Sequence, residues 1–230
     1  MIENYNESIN SAKQWFLRQI KQIENYPSEA HRFIILISTI ECFAQQSSGF
    51  SHQNMHYFVE FLHRYSAKYN DVLKELCPIS IYYHYFEGKE NIDLLLNPGT
   101  IYSAGSSESG LEANRLFNML PEDEKAAARQ KHSYAGLIYQ LRNKLVHEFL
   151  SLNMPINFKE GYSYQPPHMA FECSNEACSH IPGRWALHIP EDFVKKVAID
   201  AVDCYLNECL EKKMIPFCQT SRKCYAAWYD

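Results

Sequence analysis

The sequence predicts an all-α protein that carries one small β-hairpin before its last long helix. Apolar residues recur every three or four positions through several long runs, which is the pattern of helices that bury one face. Clusters of proline, glycine and serine separate these runs and mark where helices begin and end. With 230 residues, of which 46% are hydrophobic, the chain is long enough to bury a core. We therefore expect a single domain over residues 1–230.

The first third of the chain predicts three helices. Residues 10–25 carry apolar side chains at helical spacing and end before Pro27. Residues 28–46 form a second run that is apolar on most of its circumference, so this helix should lie at the centre of the fold. The third run, residues 53–76, is rich in aromatic residues and stops at Pro78.

The middle of the chain is less regular. Residues 79–96 include an aromatic run, 81–86, whose composition suits a strand but whose length does not separate a strand from a buried helix. Glycine and serine cluster in residues 97–110, which predicts a loop. Pro121 and the three acidic residues after it are typical of a helix start, and residues 125–151 hold no proline. They predict one continuous helix.

Toward the C-terminus the pattern changes. Residues 162–173 and 184–189 are short, aromatic and partly alternating, with a turn-rich stretch between them. A β-hairpin insertion within residues 160–190 is the economical prediction. Residues 190–213 then begin with a proline and two acids and continue as an amphipathic pattern, which predicts a final helix.

The composition excludes some classes of protein. A formal net charge of −5 argues against a basic field over the whole surface, whereas a local basic patch that contacts a few phosphates is compatible with it. The first residues are polar and acidic, unlike a signal peptide, and no apolar run is long enough to span a bilayer. Without a secretory signal, the eight cysteines are expected to be thiols. We expect a cytoplasmic protein with no membrane partner.

One polar cluster interrupts the apolar pattern of the predicted 125–151 helix. Asn143 and His147 are four residues apart, so on a helix they project from nearly the same side. Arg142 lies well around the helix from His147, but its long side chain can reach sideways. Because a buried arginine or histidine without partners is costly, this interruption needs a functional or structural reason.

The run from Arg142 to His147 resembles the Arg-x4-6-His signature of the HEPN superfamily, including a polar residue directly after the arginine. An earlier apolar helix with a single acidic residue, Glu41, also resembles the family's pattern. The segment that leads into the last helix is reminiscent of many such proteins. The resemblance covers about residues 10–50 and 120–213, and the remaining segments would be elaborations of the family fold.

This resemblance implies an up-and-down helical bundle that often forms a homodimer, in which two such motifs meet across a shared cleft. Many members cleave RNA, and no metal is obligatory because RNA carries its own nucleophile, the 2′-hydroxyl. On this interpretation His147 handles protons or positions the hydroxyl, and Arg142 binds the scissile phosphate. Asn143 orients one of these two side chains, and Glu41 holds Arg142 by a charge-assisted pair. No cofactor and no metal are expected.

Alternatives to catalysis stay open at this point. Some members of the superfamily are non-catalytic modules, so a HEPN-like module that binds a protein or nucleotide partner is the second hypothesis. The polar residues would then fix helix packing or a dimer interface. A chance match on an unrelated helical bundle is the third. Catalytic members often act on cellular RNA in toxin–antitoxin or phage-defence settings, which implies an RNA substrate and an antitoxin or regulatory protein as a further partner.

Three weaker patterns in the sequence also have plainer explanations. The Cys-x4-Cys-x-His run of residues 173–180 has part of a zinc pattern, but its spacing is loose and a polar hairpin tip is favoured. The three histidines of residues 52–63 have helical spacing, and a partly exposed helix face is favoured over a metal site. Residues 82–85, three tyrosines and a histidine, suit base stacking and an aromatic core or interface equally well.

Overall fold

The computed structural model describes residues 5–48, 54–86, 96, 101–148, 168–172 and 184–216. These residues are predominantly helical, which confirms the predicted fold class. The chain divides into two compact units, residues 1–70 with 194–230 and residues 71–193. The single domain expected over residues 1–230 stays a prediction. Among the described helices, none is both long enough and apolar enough to cross a membrane.

Helices make up most of the described chain. In chain order they are α1 (Tyr5–Ile23), α2 (Glu29–Ser48), α3 (Asn54–Tyr65), α4 (Asn70–Lys74), α5 (Pro78–Tyr85), α6 (Ser107–Asn118), α7 (Glu122–His132), α8 (Tyr134–Glu148) and α9 (Glu191–Glu211). The strands are β1 (Tyr102–Ser103), β2 (His168–Glu172) and β3 (Arg184–His188). The helices predicted over residues 10–25, 28–46 and 190–213 are confirmed as α1, α2 and α9, with small shifts of their ends.

An aromatic core joins the helices of the first unit, which are α1, α2, α3 and the part of α9 from Val194 onward. Phe43 of α2 contacts Phe16 of α1, with ring centroids 5.7 Å apart, and Tyr205 of α9 at 6.1 Å. Tyr205 also contacts Phe61 of α3 at 5.8 Å. Edge-to-face contacts of large rings add to the free energy of burial, so these side chains bind the four helices together. The side chains of α2 with no exposed surface are Phe33, Leu36, Ile37, Ile40, Phe43 and Ala44.

The second unit combines helices α5 to α8 with a small sheet. α5 packs against α6 and α7, and α7 packs against α8. The hairpin predicted within residues 160–190 is present as the antiparallel strands β2 and β3, with His168 opposite His188. The sheet has the order β1-β2-β3, and β1, which the sequence did not predict, pairs with the other edge of β2.

The helix predicted over residues 53–76 is two helices, α3 and α4, so the prediction of one continuous element was wrong. Just beyond the end of α3, a side chain takes the place of a helical carbonyl as the acceptor of a backbone N–H. Lys68 N donates to Asp200 Oδ2 of α9 at 3.0 Å. Hydrophobic periodicity could not predict a contact between residues so far apart in the sequence.

The structure also settles the ambiguous run of residues 81–86, which lies in and directly after α5. This helix starts with Pro78, a residue suited to the first turn because the N–H that it lacks would have no helical partner there. The loop predicted over residues 97–110 is shorter at its C-terminal end. Ser106 caps α6 by accepting a hydrogen bond from Ser109 N at 3.1 Å, so residues 107–110 are helical.

The prediction of one helix over residues 125–151 was also wrong, because the chain breaks at Ser133 into α7 and α8. Ser133 has an extended backbone, with φ −68° and ψ 154°. It pairs with Leu76 as an isolated β-bridge. Two backbone hydrogen bonds, 2.9 and 3.1 Å long, join the residues that flank Ser133 to the residues that flank Leu76. A neighbouring segment therefore interrupts a run that is helical by composition. Residues 149–151 lie outside the described part of the chain.

Ser133 also caps the helix that follows it. Its Oγ accepts a hydrogen bond from Gly136 N at 3.1 Å and donates to Gln130 O at 3.2 Å. We expect Ser133→Ala to lower the free energy of unfolding by about 1–2 kcal/mol, because a buried N–H at the start of α8 then loses its acceptor. Urea denaturation measures this change. Ser107→Ala, at an exposed serine of α6, serves as the control, and equal effects of the two substitutions would contradict the capping role.

Candidate functional site

The predicted site residues Arg142, Asn143 and His147 all lie on α8. Arg142 and Asn143 are half-buried, and they follow directly after Leu141, which has no exposed surface. His147 occupies the last turn of the helix, and its side chain lies outside the described part of the chain. The helix is unbroken from Tyr134 to Glu148. Asn143 and His147 are therefore separated by one helical turn.

The Arg142 guanidinium is bonded to the next residue along the helix. Its Nη1 donates to Asn143 Oδ1 at 3.0 Å. Adjacent residues of an α-helix point about 100° apart, so the long arginine side chain must fold sideways to make this bond. The bond restricts the rotamers of a side chain that is already half-buried. That Asn143 orients Arg142, one of the two roles expected of it, stays a prediction.

Glu41, the fourth predicted residue, lies on α2 and is 5% exposed. Gln45, one turn later, donates from Nε2 to Glu41 Oε1 at 3.5 Å. A carboxylate that is so deeply buried is kept only where partners compensate for the lost hydration. Glu41 belongs to the first unit and Arg142 to the second, so the ion pair between them stays a prediction.

The weaker patterns give no metal centre in the described residues. His56 is partly exposed on α3 and lies 3.2 Å from Glu60, one turn away, which fits the favoured explanation of a helix face. Residues 52 and 173–180 lie outside the described part of the chain, so the zinc-like pattern stays untested. Within the described ranges, no three side chains of the metal-binding types lie close enough to hold an ion.

A buried histidine that the sequence did not single out lies at the end of α7. His132 is 2% exposed, and its Nδ1 shares a hydrogen bond of 2.8 Å with Ser80 Oγ of α5. The His132 ring also contacts the rings of His84 and Tyr85, with centroids 5.1 and 5.4 Å away. These contacts place part of the tyrosine-rich run of residues 82–85 on a helix against α7. The only sequence signal was a polar residue at an apolar position.

Burial controls the charge of His132. Loss of hydration lowers its pKa to about 3, and the nearby His84 and Lys131 lower it in the same direction. The ring is therefore neutral at physiological pH. Its Nε2 has no hydrogen-bond partner among the described residues, whereas Nδ1 is satisfied by Ser80. A neutral buried ring of this kind stabilises the fold only while it stays unprotonated.

This burial predicts that acid destabilises the protein through His132. The pKa is lower in the folded chain than in the unfolded chain, so the unfolded state binds more protons as the pH falls below about 6.5. From about pH 7.5 to about pH 5.5 the group should lower the free energy of unfolding by about 1.4 kcal/mol. Urea denaturation at the two pH values measures this decrease in the free energy of unfolding. The decrease should be smaller by about 1.4 kcal/mol in His132→Asn than in the wild type, and it should be unchanged in His31→Asn, at an exposed histidine. Identical pH dependence in all three proteins would refute the assignment.

Two further titratable groups, Glu75 and Cys77, lie directly before α5. Gly105 N donates to a carboxylate oxygen of Glu75, and burial raises the pKa of that carboxyl. Burial also raises the pKa of the Cys77 thiol to about 12. A thiol with such a pKa stays protonated at neutral pH, and the thiolate is the nucleophilic form. We therefore assign the fully buried Cys77 side chain a packing role.

Comparison of the chain with models of protein families, with curated proteins and with solved structures finds no match. The resemblance to the HEPN superfamily therefore rests on residues of this chain alone. Those residues are the Arg142 to His147 motif on α8, the acidic Glu41 on α2 and the segment of residues 187–193 that leads into α9.

Proposed function

We propose that this protein is a metal-independent endoribonuclease of the HEPN type. The observation that carries the proposal is the position of Arg142, Asn143 and His147 on one unbroken helix, with Arg142 bonded to Asn143 at 3.0 Å. An arginine that is half-buried and oriented by its neighbour suits phosphate binding, because its planar fork can donate to two phosphate oxygens at once. The histidine supplies a group that exchanges protons near neutral pH.

The proposed reaction is a transphosphorylation of RNA. Neutral His147 accepts the proton of a 2′-hydroxyl while that oxygen attacks the adjacent phosphorus, and the bond from phosphorus to the 5′-oxygen breaks. The departing 5′-oxygen takes up a proton, so the products are a 2′,3′-cyclic phosphate and a 5′-hydroxyl. Arg142 binds the non-bridging phosphate oxygens. Their charge grows toward the transition state, so the guanidinium stabilises the transition state more than the substrate.

The proposed active site also includes Glu41 and a second copy of the chain. Glu41 holds Arg142 by a charge-assisted pair, and a homodimer brings two copies of the motif to one composite cleft. The enzyme works in the cytoplasm on cellular RNA. Because such an activity is harmful when uncontrolled, an antitoxin or another regulatory protein restrains it, as in the toxin–antitoxin and phage-defence settings that the resemblance implies.

Incubation of the purified protein with mixed RNA in EDTA tests the activity. We expect cleavage in the presence of the chelator, with a 2′,3′-cyclic phosphate on one product and a 5′-hydroxyl on the other. The mass in solution, measured by light scattering, should be that of two chains of 26.9 kDa. A monomer would rule out the composite site.

Two histidine variants separate this activity from a contaminating ribonuclease. His147→Ala, purified in the same way, should not cleave, whereas His31→Ala, at an exposed histidine of α2, should cleave like the wild type. Cleavage that survives in His147→Ala would exclude the proposed mechanism. If the wild type cleaves no RNA, the second hypothesis applies, a non-catalytic HEPN-like module that binds a protein or nucleotide partner.

A further inference from the structure

Two basic side chains meet where α7 lies against α5. Lys131 Nζ of α7 lies 3.2 Å from Nε2 and 3.5 Å from Nδ1 of His84. His84 is exposed to solvent, and Lys131 is half-buried. A lysine ammonium is always a donor at neutral pH, so a neutral His84 ring must accept from it. The two groups thus place an ammonium beside an imidazole ring that becomes a second cation and donor when it is protonated.

Within the described part of the chain, the ammonium of Lys131 has no carboxylate partner, whereas a neighbouring lysine has one. Lys125, also on α7, pairs with Glu122 at 2.7 Å. Among the described residues, the only polar contact of Lys131 Nζ is the ring of His84. A bound anion would complete this pair.

The groups around His84 decide what kind of anion fits. They are Lys131, His132 and Glu124 from α7 and Tyr85 from its own helix. Burial lowers the pKa of His84, and Lys131 lowers it further, while Glu124 acts in the opposite direction. An anion that contacts both Lys131 and His84 would favour the protonated ring and remove the repulsion between the two cations. A phosphate group has the charge and the several acceptor oxygens to contact both.

We propose that Lys131 and His84 form a binding site for a phosphate group. If the proposed function is correct, this phosphate belongs to the RNA backbone and is distinct from the scissile phosphate assigned to Arg142. Inorganic phosphate presents the same chemistry and serves as the minimal probe. The contribution of Lys131 is a charge-assisted hydrogen bond, and that of His84 is a second donor that appears on protonation.

In the first part of the test, proton NMR of the histidine rings measures the pKa of His84. His84 is identified by the resonance that disappears in His84→Gln. On addition of sodium phosphate, with chloride at equal ionic strength as the reference, the pKa of His84 should rise. The rise should be lost in Lys131→Gln and kept in Lys125→Gln, which removes the same charge from the same helix. A His84 pKa that phosphate leaves unchanged, or that responds equally in all three proteins, overturns the proposal.

The second part of the test distinguishes RNA from free phosphate as the source. A 2′-O-methyl oligonucleotide lacks the nucleophile and cannot be cleaved, so its binding is independent of catalysis. If RNA occupies the site, Lys131→Gln should weaken its binding about fivefold to tenfold relative to Lys125→Gln. Equal binding by the two variants rejects RNA and leaves free phosphate as the ligand. If the wild type fails to cleave RNA but His84 responds to phosphate, the ribonuclease fails while the phosphate site stands.

Discussion

Gly136→Ala is expected to destabilise the protein by at least about 3 kcal/mol, a large part of the free energy of unfolding of an ordinary domain. A Cβ atom at Gly136 would lie 2.1 Å from Gln130 O and 2.9 Å from Lys131 O. Both oxygens belong to the backbone at the end of α7, so no flexible side chain can move aside. Relief of the clash requires α7 and α8 to separate at the break around Ser133.

The break between α7 and α8 cannot easily absorb such a shift. Its backbone is tied to the segment before α5 by the hydrogen bond from Cys77 N to His132 O, 2.9 Å long. Gln140 also donates from Nε2 to Lys131 O at 2.6 Å, which holds the last turn of α7 against α8. Separation of the helices would break these bonds in a buried region, where an unsatisfied backbone group costs about 1–3 kcal/mol.

Gly110→Ala is the matched control, because this glycine also lies in a helix, α6. A Cβ there meets no atom within 4 Å. Alanine restricts the unfolded chain more than glycine does, so this variant should be more stable than the wild type by about 0.5–1 kcal/mol. Urea denaturation of the two variants should therefore give shifts of opposite sign. A Gly136→Ala protein as stable as the wild type would mean that α7 and α8 do not approach as closely as described.

The same region shows how far the sequence alone predicts the fold. α1, α2 and α9 were predicted because apolar residues recur at helical spacing over long runs that a proline bounds on one side. The break at Ser133 was missed because it depends on hydrogen bonds to the residues before α5, more than fifty positions earlier. Composition favoured a continuous helix, and tertiary contacts overrode that preference. Ser133 followed by Gly136 was the available local signal, a capping residue beside a small one.

Part of the candidate site could likewise be predicted from the sequence, and part of it could not. Arg142, Asn143 and His147 could be placed relative to one another because four residues make about one helical turn, and α8 keeps this spacing. The bond between Ser80 and His132 could not be predicted, since it joins residues 52 positions apart on different helices. The contact of Lys131 with His84 was missed for the same reason. Local periodicity predicts a motif on one helix, and clusters built from two helices need the fold.

On the proposed ribonuclease mechanism, Arg142→Ala should lower kcat/KM for RNA cleavage by about 10²- to 10³-fold, the range seen when one group that stabilises transition-state charge is removed. Arg142→Lys keeps the positive charge but loses the planar fork, so it should still cost about tenfold or more. Single-turnover cleavage of a defined oligonucleotide measures both effects. Arg18→Ala, at an exposed arginine of α1, is the control for the loss of one charge. Unchanged thermal unfolding would show that the half-buried position has not collapsed.

Asn143 tests whether the hydrogen bond to Arg142 matters for the reaction. Asn143 could act only by holding the guanidinium at 3.0 Å. In that case Asn143→Ala should slow cleavage about tenfold, which corresponds to ~1.4 kcal/mol and is a smaller effect than that of Arg142→Ala. The double variant should then be no slower than Arg142→Ala, because the residue that Asn143 positions is already gone. A structural role would lower stability in both backgrounds and leave the two rate effects additive. An additive loss would therefore assign Asn143 a contact with the substrate or with His147, and a non-additive one makes Arg142 and Asn143 a single phosphate-binding unit.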